Sequence, residues 1–135
     1  MTQNWFLNEA QNYDLYMSVI AVEEIDAMLN LEKKENIKNL MVENDTKILD
    51  LNEKAEKLSK EYMSQGAIPE SEPEDAMHVA IATVNEIELL ASWNFKHIVS
   101  INPIKKIHEI NREHDYIVIE IGSLEIYGGA KYGNL

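Results

Sequence analysis

Short apolar runs alternate along this chain with longer stretches in which apolar residues recur every three to four positions, and this pattern is typical of strands joined by helices. The short runs predict strands at residues 15–17, 47–51, 89–91 and 116–121. The longer stretches predict helices at residues 2–10, 19–29, 32–42, 52–65, 71–84 and 102–114. Strands that alternate with helices indicate an α/β fold with a parallel sheet and right-handed crossovers.

Polar residues at the ends of these stretches indicate where the helices begin and end. Thr2, Ser18 and Asn52 are predicted N-caps, because their side-chain oxygens can accept hydrogen bonds from the N–H groups of a first helical turn. Gly66 is predicted to end the helix at 52–65, since glycine readily adopts the left-handed conformation that closes a helix.

The helix predicted at 71–84 is apolar around most of its circumference, and such a helix is buried on most sides. Ser71 and Glu74 fit a capping box, and Pro73 suits the first turn. Asp75 lies just inside the predicted start, so its carboxylate is held on a rigid element, as a metal site requires. The sequence therefore makes Asp75 a candidate metal ligand.

The strand predicted at 89–91 is followed directly by polar residues. Ser92 and Asn94 come at its carboxyl end, which is where open α/β sheets place their binding sites. We therefore add both residues to the candidate site.

Length and composition restrict the class of protein. The 135 residues suit one domain with a substantial core. The chain has no cysteine, which excludes a disulfide framework and a zinc site built from thiolates. No apolar run approaches the ~20 residues of a membrane span, and no signal-peptide core is visible. These features predict a cytoplasmic protein that does not insert into membranes.

The net charge of −12 argues against a protein that coats nucleic acid, but the charge is unevenly distributed. Residues 1–95 contain 7 Lys/Arg and 19 Asp/Glu, whereas residues 96–135 contain 5 of each. Any contact with a polyanion is therefore predicted in the basic segment 96–114. Its candidate phosphate contacts are Lys96, Lys105, Lys106 and Arg112.

Two motif blocks of this sequence resemble the PIN domain family. The block P-E-D-A-M-H-V-A-I-A, followed by L-L-A-S-W-N-F-K-H-I, resembles the second half of a toxin-type, VapC-like PIN domain. The block M-S-V-I-A-V-E-E-I-D resembles the family's strand–serine–helix segment. The order of elements fits this family from about residue 13 to 127. The resemblance implies a three-layer, Rossmann-like parallel sheet with helices on both faces, a single domain at 1–127 and a flexible tail at 128–135.

The family resemblance also implies an activity and a set of site residues. PIN proteins of this type are ribonucleases that hold Mg²⁺ or Mn²⁺ with three or four acidic groups, often as dimers and paired with an antitoxin protein. Glu24 matches the second acidic position and Asp75 the third. Asn94 stands where many members have an acid, and Ser92 stands where they have serine or threonine. Metal ligation is therefore expected from Glu24 and Asp75, with RNA as the substrate.

The chain departs from the family pattern at its first strand. Members begin with a central strand that ends in an Asp, and this sequence opens in what resembles the following helix. Two charged ligands then remain for the metal. In the family's sheet the missing strand lies between the strands predicted at 15–17 and 89–91. We therefore expect these two strands to become neighbours or to have a foreign segment between them.

Each candidate acid also has a purely structural interpretation. Asp75 is equally an acid stabilised by the dipole of its helix, an effect of about 0.3–1 kcal/mol. Glu24 is equally a surface acid at the edge of an apolar stripe, and Glu23 replaces it if the helical register differs by one. His78, three residues after Asp75, is interpreted as a helix histidine bonded to a neighbouring acid.

The remaining candidates have structural interpretations of the same kind. Asn94 is equally a turn residue that tolerates unusual backbone angles. The four basic residues equally form a solvated helix face.

Two functions follow from these alternatives. The first is a metal-dependent endoribonuclease, the toxin of a toxin–antitoxin pair. The second is a catalytically silent PIN relic that acts as a protein-binding or dimerisation module. A receiver-like α/β domain is a distant third, since this chain lacks the paired acids that such a domain carries at its first strand.

Overall fold

The computed structural model describes residues 14–91 and 101–122, and in these ranges short strands alternate with helices in an α/β arrangement. The predicted helix at 2–10 and the predicted tail lie outside the described residues, as do Ser92, Asn94 and Lys96. The elements are β1 (Tyr16–Ser18), α1 (Val19–Asp26), α2 (Leu31–Glu43), β2 (Lys47–Leu49), α3 (Glu53–Ser64), α4 (Pro73–Val84), β3 (Leu89–Ala91), α5 (Ile101–Glu113) and β4 (Glu120–Gly122).

The predicted N-caps of α1 and α3 are confirmed. Ser18 Oγ accepts a hydrogen bond from the Ala21 N–H at 3.2 Å, and Asn52 Oδ1 accepts one from the Ala55 N–H at 2.8 Å. Helix α2 has a cap that the sequence did not predict, because Asn30 Oδ1 accepts from the Lys33 N–H at 3.0 Å. Helix α1 ends at Asp26, three residues before its predicted end.

The predicted capping box of α4 is wrong. A turn in which the Glu72 N–H donates to the Pro69 carbonyl at 2.9 Å precedes the helix, and Pro73 is its first residue. Glu72 is then the N-cap and makes no side-chain cap bond, while Ser71 lies one position too early to reach the first turn. Asp75 nevertheless lies in the first turn, as predicted.

The strands form two separate parallel pairs within the described residues. Strand β1 pairs with β2 in the register Met17 to Ile48, and β3 pairs with β4 in the register Leu90 to Ile121. The ladders are shorter than the runs predicted at 47–51 and 116–121. No ladder joins β1 to β3 in the described part of the chain. Direct pairing of these two strands is therefore not observed, and a segment inserted between them stays a prediction.

Helix α4 is the centre of the core, as its apolar sequence predicted. Six of its 12 residues are buried, and Ala76, Val79, Ala80 and Ile81 are completely inaccessible to solvent. Its main partner is α3, which buries Leu58 and Tyr62 against it. The first turn of α4, which carries Asp75, is therefore fixed by the best-packed part of the protein.

None of the helices in the ranges 14–91 and 101–122 has the length and apolar composition needed to cross a lipid bilayer.

Candidate functional site

Glu24 lies on the last turn and a half of α1 and contacts α4. Its Oε1 lies 3.3 Å from Nε2 of His78, and its side chain is 44% exposed. Glu23, the alternative acid, is exposed. The register that places Glu24 against α4 is set at the start of α1, where the Ser18 cap fixes the first turn. The structure thus shows Glu24 in contact with His78 of α4, and the choice between Glu24 and Glu23 as a metal ligand stays a prediction.

Asp75 is half-buried in the first turn of α4, three residues before His78. Residues three apart on a helix lie on the same face, one turn from each other. The Asp75 turn and the Glu24 carboxylate therefore both adjoin His78. The two acids are 51 positions apart in the sequence, and the α1–α4 contact brings their elements together.

His78 links α4 to α1 and to Ser18, the residue that caps α1. Its Nδ1 lies 2.8 Å from Ser18 Oγ, and its Nε2 lies 3.3 Å from Glu24 Oε1. Its side chain is only 13% exposed, because it projects from the buried helix α4. The sequence predicted that His78 would bond to a neighbouring acid. The acid is Glu24, which is distant in sequence, and only the packing of α1 on α4 could reveal it.

The basic residues of α5 lie apart from these acids in the sequence and are exposed. Lys105 and Arg112 are seven residues apart, so they share one face of the helix, while Lys106 is displaced from them by about 100°. The Lys106 ammonium nitrogen would lie 3.9 Å from a Cβ added at Gly66, which places Lys106 beside the end of α3. Their predicted contact with phosphates stays a prediction.

The described residues offer few oxygen ligands for a metal. Carboxylate oxygens are the donors that Mg²⁺ and Mn²⁺ prefer, so Glu24 and Asp75 have the chemistry that the predicted ion needs. Within 14–91 and 101–122, however, no group of three or more His, Asp or Glu side chains is gathered closely enough to enclose an ion. Glu24 and Asp75 would supply two carboxylate ligands to such a metal, and waters would supply the others.

Comparison with known proteins gave no match: no family model fits the chain, and neither curated proteins nor solved structures contain a detectable relative.

Proposed function

We propose that this chain is a PIN-type ribonuclease that depends on Mg²⁺ or Mn²⁺ and cleaves RNA phosphodiester bonds as the toxin of a toxin–antitoxin pair. One observation carries the proposal: the Glu24 carboxylate contacts the His78 ring on α4, and His78 lies one helical turn after Asp75. These two acids come from separate sequence blocks that match the second and third acidic positions of the family. The helix that carries Glu24 packs on the helix that carries Asp75, and a shared metal requires the two carboxylates to lie close together.

The chemistry follows from the donor set. Glu24 and Asp75 would hold the divalent ion and balance part of its charge. The ion would supply polarisation of a phosphoryl oxygen and activation of a water as the nucleophile. The exposed face of Lys105 and Arg112 supplies cations for the RNA backbone. The antitoxin and the dimer belong to this proposal through the family resemblance alone.

The test is RNA cleavage in the presence of Mn²⁺ by the full chain and by Asp75→Ala. Loss of a metal ligand removes transition-state stabilisation, so the rate is expected to fall roughly 100-fold. Glu74→Ala is the matched control, because Glu74 is an exposed acid in the same helical turn and is expected to leave the rate unchanged. If both variants cleave RNA as fast as the parent, Asp75 is not part of the site, and if the parent cleaves no RNA in Mn²⁺, the proposed activity is wrong.

A second pair of variants tests Glu24 in the same assay. Glu24→Ala is expected to lower the rate as much as Asp75→Ala does, whereas Glu23→Ala is expected to leave it unchanged. The two residues are adjacent acids of α1, so their comparison cancels the effect of net charge. If Glu23→Ala lowers the cleavage rate more than Glu24→Ala does, Glu23 is the acid of the site.

The pairing of the strands in the described ranges favours the second candidate function, a protein-binding or dimerisation module. Within the described residues β1 and β3 each pair with one other strand, and an open strand edge is a template for pairing with another chain. Apolar side chains are also exposed at the α1–α2 turn and at the end of α2: Leu29 (97%), Leu31 (73%) and Val42 (81%). Absence of Mn²⁺ binding by calorimetry, together with a stable dimer in light scattering, would support this function instead of the nuclease.

A further inference from the structure

We propose that His78 is the positioning residue for Glu24: it holds one carboxylate oxygen so that the other is presented to the metal. The inference rests on the proposed function and goes beyond it, because that function gives the His78 side chain no role in holding the metal. It is carried by the hydrogen-bond chain from Ser18 through His78 to Glu24.

The direction of this chain is set by its ends. The carboxylate of Glu24 only accepts, so the hydrogen of the 3.3 Å contact is carried by His78 Nε2. In the neutral ring Nδ1 is then an acceptor and receives the Ser18 hydroxyl hydrogen at 2.8 Å. Ser18 Oγ in turn accepts from the Ala21 N–H at the start of α1. Every donor in this chain therefore meets an acceptor, and Ser18 serves as both the cap of α1 and the anchor of the ring.

The exposed fractions of the two side chains indicate that His78 restrains Glu24 and not the reverse. The His78 side chain is 13% exposed and that of Glu24 is 44% exposed. His78 is followed directly by Val79 and Ala80, both of which are inaccessible in the core. The backbone that carries the imidazole is thus rigid, whereas an exposed glutamate has rotamer freedom that metal binding would have to restrict. The histidine reduces that cost by holding Oε1 before the ion arrives.

The bond uses Oε1 alone. The other oxygen of Glu24, Oε2, takes no part in it and can ligate an ion from the same carboxylate. Hydrogen bonding of a ligating carboxylate by a neighbouring group commonly raises metal affinity 10- to 100-fold. His78 would therefore act on the metal through Glu24 and not as a ligand.

The experiment measures the dissociation constant of Mn²⁺ by calorimetry on the full chain, in parallel with urea unfolding. His78→Phe removes both ring nitrogens and is expected to weaken Mn²⁺ binding by about 10- to 100-fold. His78→Gln keeps an N–H donor near the Nε2 position and is expected to restore most of the affinity. In the Glu24→Gln background, His78→Phe is expected to cause no further loss, because the carboxylate that it positions is already gone.

His108→Phe is the matched control. His108 lies on α5 and its Nε2 donates to the Ile119 carbonyl at 2.8 Å, so the substitution also removes a half-buried histidine hydrogen bond. It is expected to lower stability without changing the Mn²⁺ affinity. Should His78→Phe fail to fold, Ser18→Gly takes its place, since glycine retains most of the capping preference while the ring loses its anchor. Its Mn²⁺ binding is expected to be weaker than that of the parent.

The outcomes separate this inference from the function on which it rests. Suppose that the parent binds Mn²⁺ and that Glu24→Gln weakens this binding. If the His78 variants that fold, or Ser18→Gly in their place, then bind Mn²⁺ as tightly as the parent, the positioning role is overturned and the proposed function stands. Equal loss from His78→Phe in the presence and absence of the Glu24 carboxylate would also overturn it. If the parent binds no Mn²⁺, the proposed function and this inference are both wrong.

Discussion

At the scale of single residues, the core of the described part of the chain contains a polar cluster of Tyr62, Thr83 and Asn111. Tyr62 on α3 donates its hydroxyl hydrogen to Asn111 Oδ1 on α5, and Thr83 Oγ1 on α4 lies 3.3 Å from the same hydroxyl. The Asn111 amide donates to the Ile117 carbonyl at 3.1 Å. All three side chains are buried. The cluster therefore fixes three helices relative to one another, and each member depends on the others for its hydrogen bonds.

Removal of the Tyr62 hydroxyl tests this cluster. Tyr62→Phe keeps the ring but leaves buried Asn111 Oδ1 without its donor, so the free energy of unfolding is expected to fall by about 1–3 kcal/mol. Urea denaturation measures the change. Tyr16→Phe is the control, because the Tyr16 side chain is 42% exposed, and it is expected to stay within about 0.5 kcal/mol of the parent. Equal effects of the two substitutions would show that the cluster contributes no more than a surface hydroxyl.

The same tyrosine predicts a loss of stability at alkaline pH. Burial raises the pKa of Tyr62 well above its ordinary value, and its hydrogen bonds to Thr83 and Asn111 only partly oppose this. The unfolded chain loses the phenol proton near pH 10, whereas the native chain retains it. The stabilisation is therefore complete below about pH 10 and is lost as the pH rises above that value toward the native pKa.

Urea unfolding of the parent and of Tyr62→Phe from about pH 9 to pH 11 measures this effect. The parent is expected to lose stability more steeply than the variant, and the difference between the two slopes isolates Tyr62 from the other tyrosines. Parallel curves would contradict the raised pKa.

At the scale of elements, the sequence predicted most helix starts correctly but missed what ends the helices. Side-chain caps are local, so Ser18 and Asn52 could be recognised from their position alone. Helix ends were assigned from glycine, which identified only Gly66. Three other helices end at residues with positive φ that are not glycine: Asp45 (50°), Glu86 (56°) and Asp115 (59°). A rule that assigns helix ends from glycine misses these three residues, because they adopt the left-handed conformation without being glycine.

The site divides in the same way between local and tertiary signals. Asp75 was predicted in the first turn of its helix because Pro73 and the apolar body of α4 mark that turn. The role of Ser18 beyond capping, and the acid partner of His78, depend on contacts between residues 60 and 54 positions apart in the sequence. The sequence therefore supplied the acids but not the contact that relates them.

Glu86 offers a test of the helix-end geometry. It follows the last turn of α4, where the Ile87 N–H donates to the Ala82 carbonyl at 2.9 Å, and its φ is 56°. The left-handed conformation costs an L-residue about 1–2 kcal/mol, and glycine avoids this cost. Part of the gain is cancelled because glycine has greater backbone freedom in the unfolded chain. Glu86→Gly is therefore expected to stabilise the protein by about 0.5–1 kcal/mol in thermal or urea unfolding.

Gly66→Ala is the reciprocal control. Gly66 ends α3 with φ 78°, and the nearest atom to an added Cβ is a lysine nitrogen 3.9 Å away, so space is not limiting. Any loss is then conformational, and the variant is expected to be less stable by about 1 kcal/mol. A stabilising Gly66→Ala together with a destabilising Glu86→Gly would refute the argument.

At the scale of the whole molecule, packing is unevenly distributed between the two strand pairs. Helix α3 and helix α4 enclose most of the buried apolar side chains, whereas α2 has no buried residue among its 13 and α1 has only Ile20. The β1–β2 unit thus rests on the core through the contacts of α1 and β1 with α4, which include the Glu24–His78 and Ser18–His78 bonds. A site formed across this contact depends on how firmly the less-packed unit is held.

Native-state hydrogen exchange tests this uneven stability. Helices α2 and α3 are of similar length and are both rich in lysine and glutamate, but only α3 buries an apolar face. Because exchange follows local opening, the amides of α2 are expected to be at least tenfold less protected than those of α3, a difference of about 1.4 kcal/mol or more in opening free energy. Equal protection at low protein concentration would contradict the uneven packing. If protection of α2 rises with protein concentration while that of α3 does not, the exposed side chains around α2 contribute to a dimer, and the site that depends on α1 would be strengthened by the same association.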